Sequence, residues 1–322
     1  LAVVGLMVLG TLVRLPHFFI PMWAERPEFH PFRQTQTLMM VREIMRNGVD
    51  FSSPLPIFGP PWVLPMEFPT YQNLAALIGL SLNVDDVTAS RLVSLVAFQA
   101  SGVVLVILAK VLVGRLAALV ALWVWEFTQL LWSWSAAPTI EFLAVLFVLL
   151  SVLLTHKAVT IHRSWPLLLL TSGLWILAFL TKFTTALVWM PFLVGVLWFV
   201  LGGVRGRLSH WLQALIPVAA GGLIGGVFVL HGDAVKARSP FTEFLTSENL
   251  STWNFGTLDQ RLDPEAWIRV MTFANGIVGV AVIFLVLSLV FVARGPRPQA
   301  VLVAAGLVSV LGAVSVLFNL YV

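Results

Sequence analysis

Runs of roughly twenty apolar residues, each long enough to cross a hydrocarbon core, alternate along this chain with segments too polar to enter one. Nine such runs stand at about 1–19, 88–109, 116–134, 138–155, 164–181, 183–201, 211–230, 270–293 and 300–322. Most of the connections between them are short turns. Two are long, 20–87 and 231–269, and in an alternating topology both fall on the same side of the membrane. The pattern predicts an all-α, polytopic transmembrane helical bundle, a single domain over residues 1–322 from which two loops project.

The first long loop is itself patterned. Leu38, Met40, Val41, Ile44 and Met45 share one helical face while Arg42, Glu43 and Arg46 share the other, and Gly48 is placed to stop the helix. This predicts an interfacial helix on the outer leaflet. Six prolines between residues 54 and 69 exclude a helix there and predict a rigid, extended wall. A second short helix follows over about Asn73 to Leu82, and Asp85 and Asp86 suit the N-terminus of the next span. Helix, rigid turn and helix make a pre-organised surface, which suits a binding site better than a tether.

Composition fits a chain dissolved in lipid: 59% of residues are hydrophobic, 11% are charged and the mean hydropathy is +0.95. There is no cysteine, so disulfides and thiolate metal sites are excluded. The net charge of +4 and pI near 10.0 raise the question of nucleic acid. Position answers it. The short loops hold Lys110, Arg115, Lys157, Arg163, Arg205, Arg207, Arg294 and Arg297 and no acid, whereas the two long loops hold 13 of the 15 acidic residues. The positive-inside rule puts the short loops in the cytoplasm and the long loops outside, so the high pI reports topology and no nucleic-acid partner is expected. Trp132 and Trp134 near the outer face, and Trp165, Trp198 and Trp211 near the inner one, form the expected interfacial belts. The run "GGLIGG" at 221–226 suits close helix packing. Leu1 in place of Met, and an end inside an apolar run, read as truncation at both termini, and a signal-sequence origin for the first run stays open.

Several motifs recur in order and on the appropriate sides of the membrane: "HPFRQTQT", "VREIMRNG", "MEFPTY", "ASRLVSLV", "WSWSAAPTIEF" and "AFLTKFTTAL". In these the chain resembles the GT-C membrane glycosyltransferases, in particular bacterial enzymes related to protein O-mannosyltransferases and to the aminoarabinose transferases of lipid A. The resemblance covers most of the chain. It implies a GT-C helical fold, a polyprenyl-phosphate sugar as donor, and inverting transfer to a lipid, glycan or protein acceptor at the outer face of the plasma membrane. It also marks a departure: many relatives carry an Asp-Glu pair, with the Asp as base, where this chain has Arg33 and Gln34.

Inverting transfer needs a proton acceptor for the incoming hydroxyl and cations for the departing phosphate. Among carboxylates Glu67 ranks first, because "MEFPTY" matches the acidic motif of the family; the alternative is a local cap or ion pair. Glu28 and His30 form a second acid–base candidate, against the plainer reading of loop surface. Arg33 and Lys182 are the candidates for the donor phosphate. Arg33 otherwise pairs with Glu28 or Glu67, and Lys182 otherwise snorkels to the headgroups. Gln34, Glu141 and Arg91 are candidate cavity-lining residues, with Arg91 equally placed to pair with the two aspartates one turn before it. Glu126, within a span beside the polar Thr128 and Gln129, is either functional or a packing residue, and Glu25 is read as solvated. No metal site and no cofactor is predicted, although a divalent ion near Glu25, Glu28 and His30 is not excluded. The rival reading is a transporter or flippase of a lipid-linked sugar. Transport predicts polar residues strung along a path and comparable halves. Here the polar residues gather at the outer face.

Overall fold

In a computed structural model, residues 2–20, 31–128, 131, 134–160, 164–200, 208–251 and 256–269 are described. The expected spans at 270–293 and 300–322 lie outside them, as do Glu25, Glu28 and His30. Ten α-helices carry the argument: α1 (Ala2–Phe19), α2 (Pro31–Asn47), α3 (Thr70–Leu82), α4 (Asp86–Leu112), α5 (Arg115–Phe127), α6 (Glu141–Thr160), α7 (Trp165–Thr181), α8 (Phe183–Val200), α9 (Leu208–Lys236) and α10 (Leu258–Leu262). Among the described residues no strand forms, and one isolated antiparallel bridge joins Pro54 to Val63.

Four of the described helices, α1, α4, α6 and α9, are long and apolar enough to cross a membrane, and α7 and α8 are shorter apolar helices. α5 ends at Phe127, short of the expected 134. The Glu126 carbonyl there accepts a hydrogen bond from Arg14 Nη2 at 2.7 Å, and Thr128 turns to an extended conformation. A side chain reaching into a helix end in this way satisfies a carbonyl that the helix would otherwise have to serve.

Two cores divide the bundle. The larger lies between α4, α6, α7, α8 and α9, around Leu108, Leu149, Trp175, Phe179, Leu197 and Val218. The second fastens the loop helices to the N-terminal halves of α4 and α6 through Val41, Ile44, Tyr71, Ala75, Phe98 and Leu143. The apolar face read from the sequence for α2 is therefore real, but it turns into protein and packs on α3 and α4. The helix also begins at Pro31, seven residues before the expected Leu38. Proline suits a first helical turn because the N–H it lacks has no intrahelical partner there. Gln34, Gln36 and Thr37, which made that stretch look like exterior, are buried.

The loop is fastened at several points. Asp85 caps α4, accepting from Val87 N and Thr88 N at 3.0 Å each, and Arg42 of α2 pairs with Asp86 at 2.9 Å. Burial raises the Asp85 carboxyl, but the bonds from Thr88 and Val87 outweigh it and hold the group below its ordinary value. α3 starts at Thr70. Tyr71 Oη reaches the Ser90 carbonyl at 2.6 Å and lies 2.9 Å from Ser94 Oγ, while Asn73 Nδ2 donates to the Asp50 carbonyl at 2.7 Å. Between α2 and α3 the proline-rich wall doubles back on itself, with Leu55 N donating to Trp62 O at 2.8 Å and Leu64 N to Ser53 O at 2.9 Å. Beneath it Met40, Leu55, Leu64 and Leu245 form a small core that joins the first long loop to the second.

Candidate active site

The wall ends at Glu67, and its course sets where that carboxylate lies. Ser53 Oγ donates to the Glu67 carbonyl at 3.2 Å, and Phe68 N donates to Leu180 O at 3.0 Å, so the main chain is tied on one side to the loop and on the other to the end of α7. Behind it, the Pro65 carbonyl rests against Gly232 of α9, where a Cβ would come within 2.6 Å of that oxygen. Only glycine fits beneath the strap.

The Glu67 side chain is 5% exposed and both its oxygens are engaged. Arg33 Nη2 donates to Oε2 at 2.9 Å, and Gln72 Nε2 donates to Oε1 at 3.0 Å. The other arm of the guanidinium, Nη1, donates to Gln36 Oε1 at 2.7 Å. The result is a row of four side chains, Gln36, Arg33, Glu67 and Gln72, supplied by α2, the wall and α3. Burial alone would depress the Arg33 charge, but the Glu67 carboxylate beside it and the Glu141 charge further off carry its pKa above the ordinary value. The Arg33 side chain remains 31% exposed.

A second ion pair stands within the field of the first. Lys182 is the single residue between α7 and α8, in extended conformation, and its Nζ donates to Glu141 Oε1. Glu141 opens α6, where the helix dipole favours a carboxylate. Both side chains are about a quarter exposed, at 27% and 24%. The other carboxylate oxygen of Glu141 is buried with no hydrogen-bond partner among the described residues. Two cations and two carboxylates thus meet where the first loop crosses the ends of α6 and α7.

The structure therefore brings Arg33, Glu67, Glu141 and Lys182 together. Gln34 is buried on α2 beside them in sequence. Arg91 donates to the Phe18 carbonyl at 2.7 Å and so links α4 to the end of α1. Glu126 is held by Arg14 at 2.9 Å inside the bundle. Sequence reasoning left Gln36, Gln72 and Arg14 out of the candidate site residues. Gln36 follows Arg33 at helical spacing, a signal available once the helix is started at Pro31, whereas Gln72 had no signal beyond lying close to Glu67 in "MEFPTYQ". Among the described residues no group of three or more His, Cys, Asp or Glu is arranged to hold a metal ion.

Residues 69–230, half of the chain, match the family described as dolichyl-phosphate-mannose-protein mannosyltransferase. No curated protein and no solved structure matches the chain. The chain belongs to that family and is a membrane glycosyltransferase by membership. The matched segment contains Gln72, Glu141 and Lys182 and begins two residues after Glu67.

Proposed function

We propose that this family member is an inverting glycosyltransferase of GT-C type, which moves a sugar from a polyprenyl-phosphate donor to an acceptor hydroxyl at the outer face of the plasma membrane. The observation that carries the reading is the meeting of Arg33 and Lys182, two partly exposed cations, with the buried Glu67 at the ends of α6 and α7. The donor phosphate binds Arg33 and Lys182. Arg33 in the resting protein covers Glu67 Oε2, and a phosphate competing for the guanidinium releases that oxygen. The acceptor oxygen then attacks the anomeric carbon from the side opposite the phosphate, its proton passes to Glu67, and the bond from the anomeric carbon to the phosphate oxygen breaks. The electron pair of that bond leaves with the polyprenyl phosphate. The two cations hold the charge the donor phosphate already carries and stabilise the further charge that develops as the bond breaks, and only the second part acts on the rate of the bound donor.

The outer-face assignment rests on the distribution of charge between short and long loops. Two measurements test the reading. Cysteine at Ser52 or Thr246 is labelled by an impermeant reagent added outside intact cells, and cysteine at Gly206 or Gly295 is not; the reverse pattern removes the outer-face site. Native membranes containing the full-length protein consume polyprenyl-phosphate mannose and ignore GDP-mannose. Direct use of the nucleotide sugar moves the protein to another donor class.

A further inference from the structure

Gln72 is fully buried and makes one hydrogen bond with its side chain, from Nε2 to Glu67 Oε1. Its own Oε1 is buried with no partner among the described residues. An unsatisfied buried carbonyl costs stability, and Leu or Met would fill the same space without that cost. The amide is not serving its helix either, since α3 has no side-chain cap and its N-cap residue is Pro69. Its orientation is dictated by the carboxylate: turned over, the amide would set its oxygen against Glu67 Oε1, acceptor against acceptor. The first turn of α3 is moreover rigid, with Tyr71 fixed to Ser90 and Ser94 and Asn73 fixed to Asp50.

We propose that Gln72 is the positioning residue for Glu67: its amide fixes one carboxylate oxygen, so that the other, which Arg33 covers, is presented for proton transfer when the guanidinium turns to the donor. A carboxylate held by Arg33 alone would swing free at the moment the donor drew the guanidinium away. Held by Gln72 from a rigid helix it stays in place. The proposal rests on Glu67 as proton acceptor.

The test compares full-length wild type with Gln72→Met and Glu67→Gln in native membranes turning over polyprenyl-phosphate mannose. Gln72→Met lowers kcat roughly 10- to 100-fold, the range a misplaced catalytic group produces. The donor KM stays within about threefold, because the lost contact acts on the reacting state. Melting of the solubilised variant changes little, since the Gln72 oxygen that lacked a partner is gone while Glu67 Oε1 loses its donor. Gln72→Leu, of different shape, shows the same kcat loss if the missing hydrogen bond is the cause. In the double variant with Glu67→Gln, Gln72→Met adds little further loss, because both act through one group. Wild-type kcat in Gln72→Met alongside an impaired Glu67→Gln overturns the proposal and leaves the base assignment standing. A fall in melting temperature with KM and kcat drifting together assigns Gln72 to packing and also overturns it. Near wild-type turnover in Glu67→Gln removes the base reading, and the proposal with it, in a measurement that involves no change at Gln72.

Discussion

Among the described residues two arginine–glutamate pairs have the same length and differ in surroundings. Arg14 and Glu126 meet at 2.9 Å between α1 and α5, at 1% and 0% exposure. Arg33 and Glu67 meet at 2.9 Å at the loop cluster, at 31% and 5%. The Arg14 guanidinium is used up inside the protein. It donates to Ser135 Oγ, to the Gly10 and Glu126 carbonyls and to Glu126 Oε2, and it lies 4.2 Å from the centre of the Phe98 ring. Gln99 adds a further contact to the same Glu126 oxygen at 3.3 Å, and a Cβ on Gly10 would fall 2.1 Å from it. No room is left for a ligand. Arg33, by contrast, has a face open to solvent and stands beside a second cation whose own partner keeps a buried oxygen unpaired. A buried pair enclosed by its own hydrogen bonds joins helices; a pair with one open side can exchange partners.

The largest effect that tests this contrast is on stability. Breaking a buried pair leaves an uncompensated charge, which costs about 3–5 kcal/mol, whereas replacing both members by apolar residues is often neutral. Glu126→Leu therefore lowers the melting temperature of the solubilised protein sharply or prevents its accumulation in membranes. Arg14→Met combined with Glu126→Leu restores both. If the double variant is no better than the single, the pair is not what makes the lone change harmful, and Glu126 has another task.

At the loop cluster the expected signature is reversed, with activity lost and stability kept. Glu67→Gln lowers turnover by ~10²- to 10⁴-fold, the usual worth of general-base assistance; melting stays close to wild type, and the donor binds no more weakly, because Arg33 is no longer held by a carboxylate charge. Lys182→Ala lowers turnover by about 10²- to 10³-fold and also weakens donor binding, because the phosphate is anionic before the reaction as well as during it. Loss of stability in Glu67→Gln as large as that in Glu126→Leu would make the two pairs equivalent and end the comparison.

What the sequence made legible follows the same division. The charges of the loop cluster stand out because they interrupt apolar runs at motif positions: Glu67 in "MEFPTY", Lys182 in "FLTKFTTA" and Glu141 beside the "SAAPT" turn. One of the two partners open to Arg33 in the sequence, Glu67, is the one the structure shows. Arg14 escaped notice because a single arginine near the end of an apolar run looks like an interfacial anchor, and its partner lies 112 residues away in sequence. Gln36 and Gln72 carry no charge, and their importance comes only from the ion pair between them. The early start of α2 was hidden for a related reason. "FRQTQT" is too polar to resemble a buried helix until the pair it supports is known.

A smaller effect probes the strap that brings Glu67 to the cluster. Gly232→Ala sets a methyl group against the Pro65 carbonyl, and backbone at 2.6 Å cannot be displaced as a side-chain end can. Pro65 is two residues from Glu67, so the displacement reaches the carboxylate. Turnover falls by roughly tenfold, within the loss expected for a shift of under an ångström at a reacting group, and melting falls with it, because a backbone clash is not cheaply relieved. The neighbouring Gly226, which has open space where a Cβ would stand, accepts alanine without loss and serves as the control.

The smallest expected change is the one that most directly tests partner exchange. Lys182 is held by Glu141 in the resting protein, so a donor phosphate reaching Lys182 displaces a carboxylate and then sits next to it. Both facts oppose binding. Glu141→Gln keeps the side chain's shape and a hydrogen-bond acceptor for Nζ while removing the charge, so the donor should bind more tightly. For a pair a quarter exposed the gain is modest, about three- to tenfold in affinity, because solvent screens much of the interaction. Turnover at saturating donor changes by less than about threefold, since Glu141 takes no proton in the reaction and its charge is felt before and during bond breaking alike. Donor affinity measured for wild type and Glu141→Gln at low and moderate salt decides the matter, with the gain shrinking as salt rises. Weaker binding in Glu141→Gln would mean that Glu141 serves to hold Lys182 in position, and the second pair would then belong with Arg14 and Glu126 among the fixed contacts of the bundle.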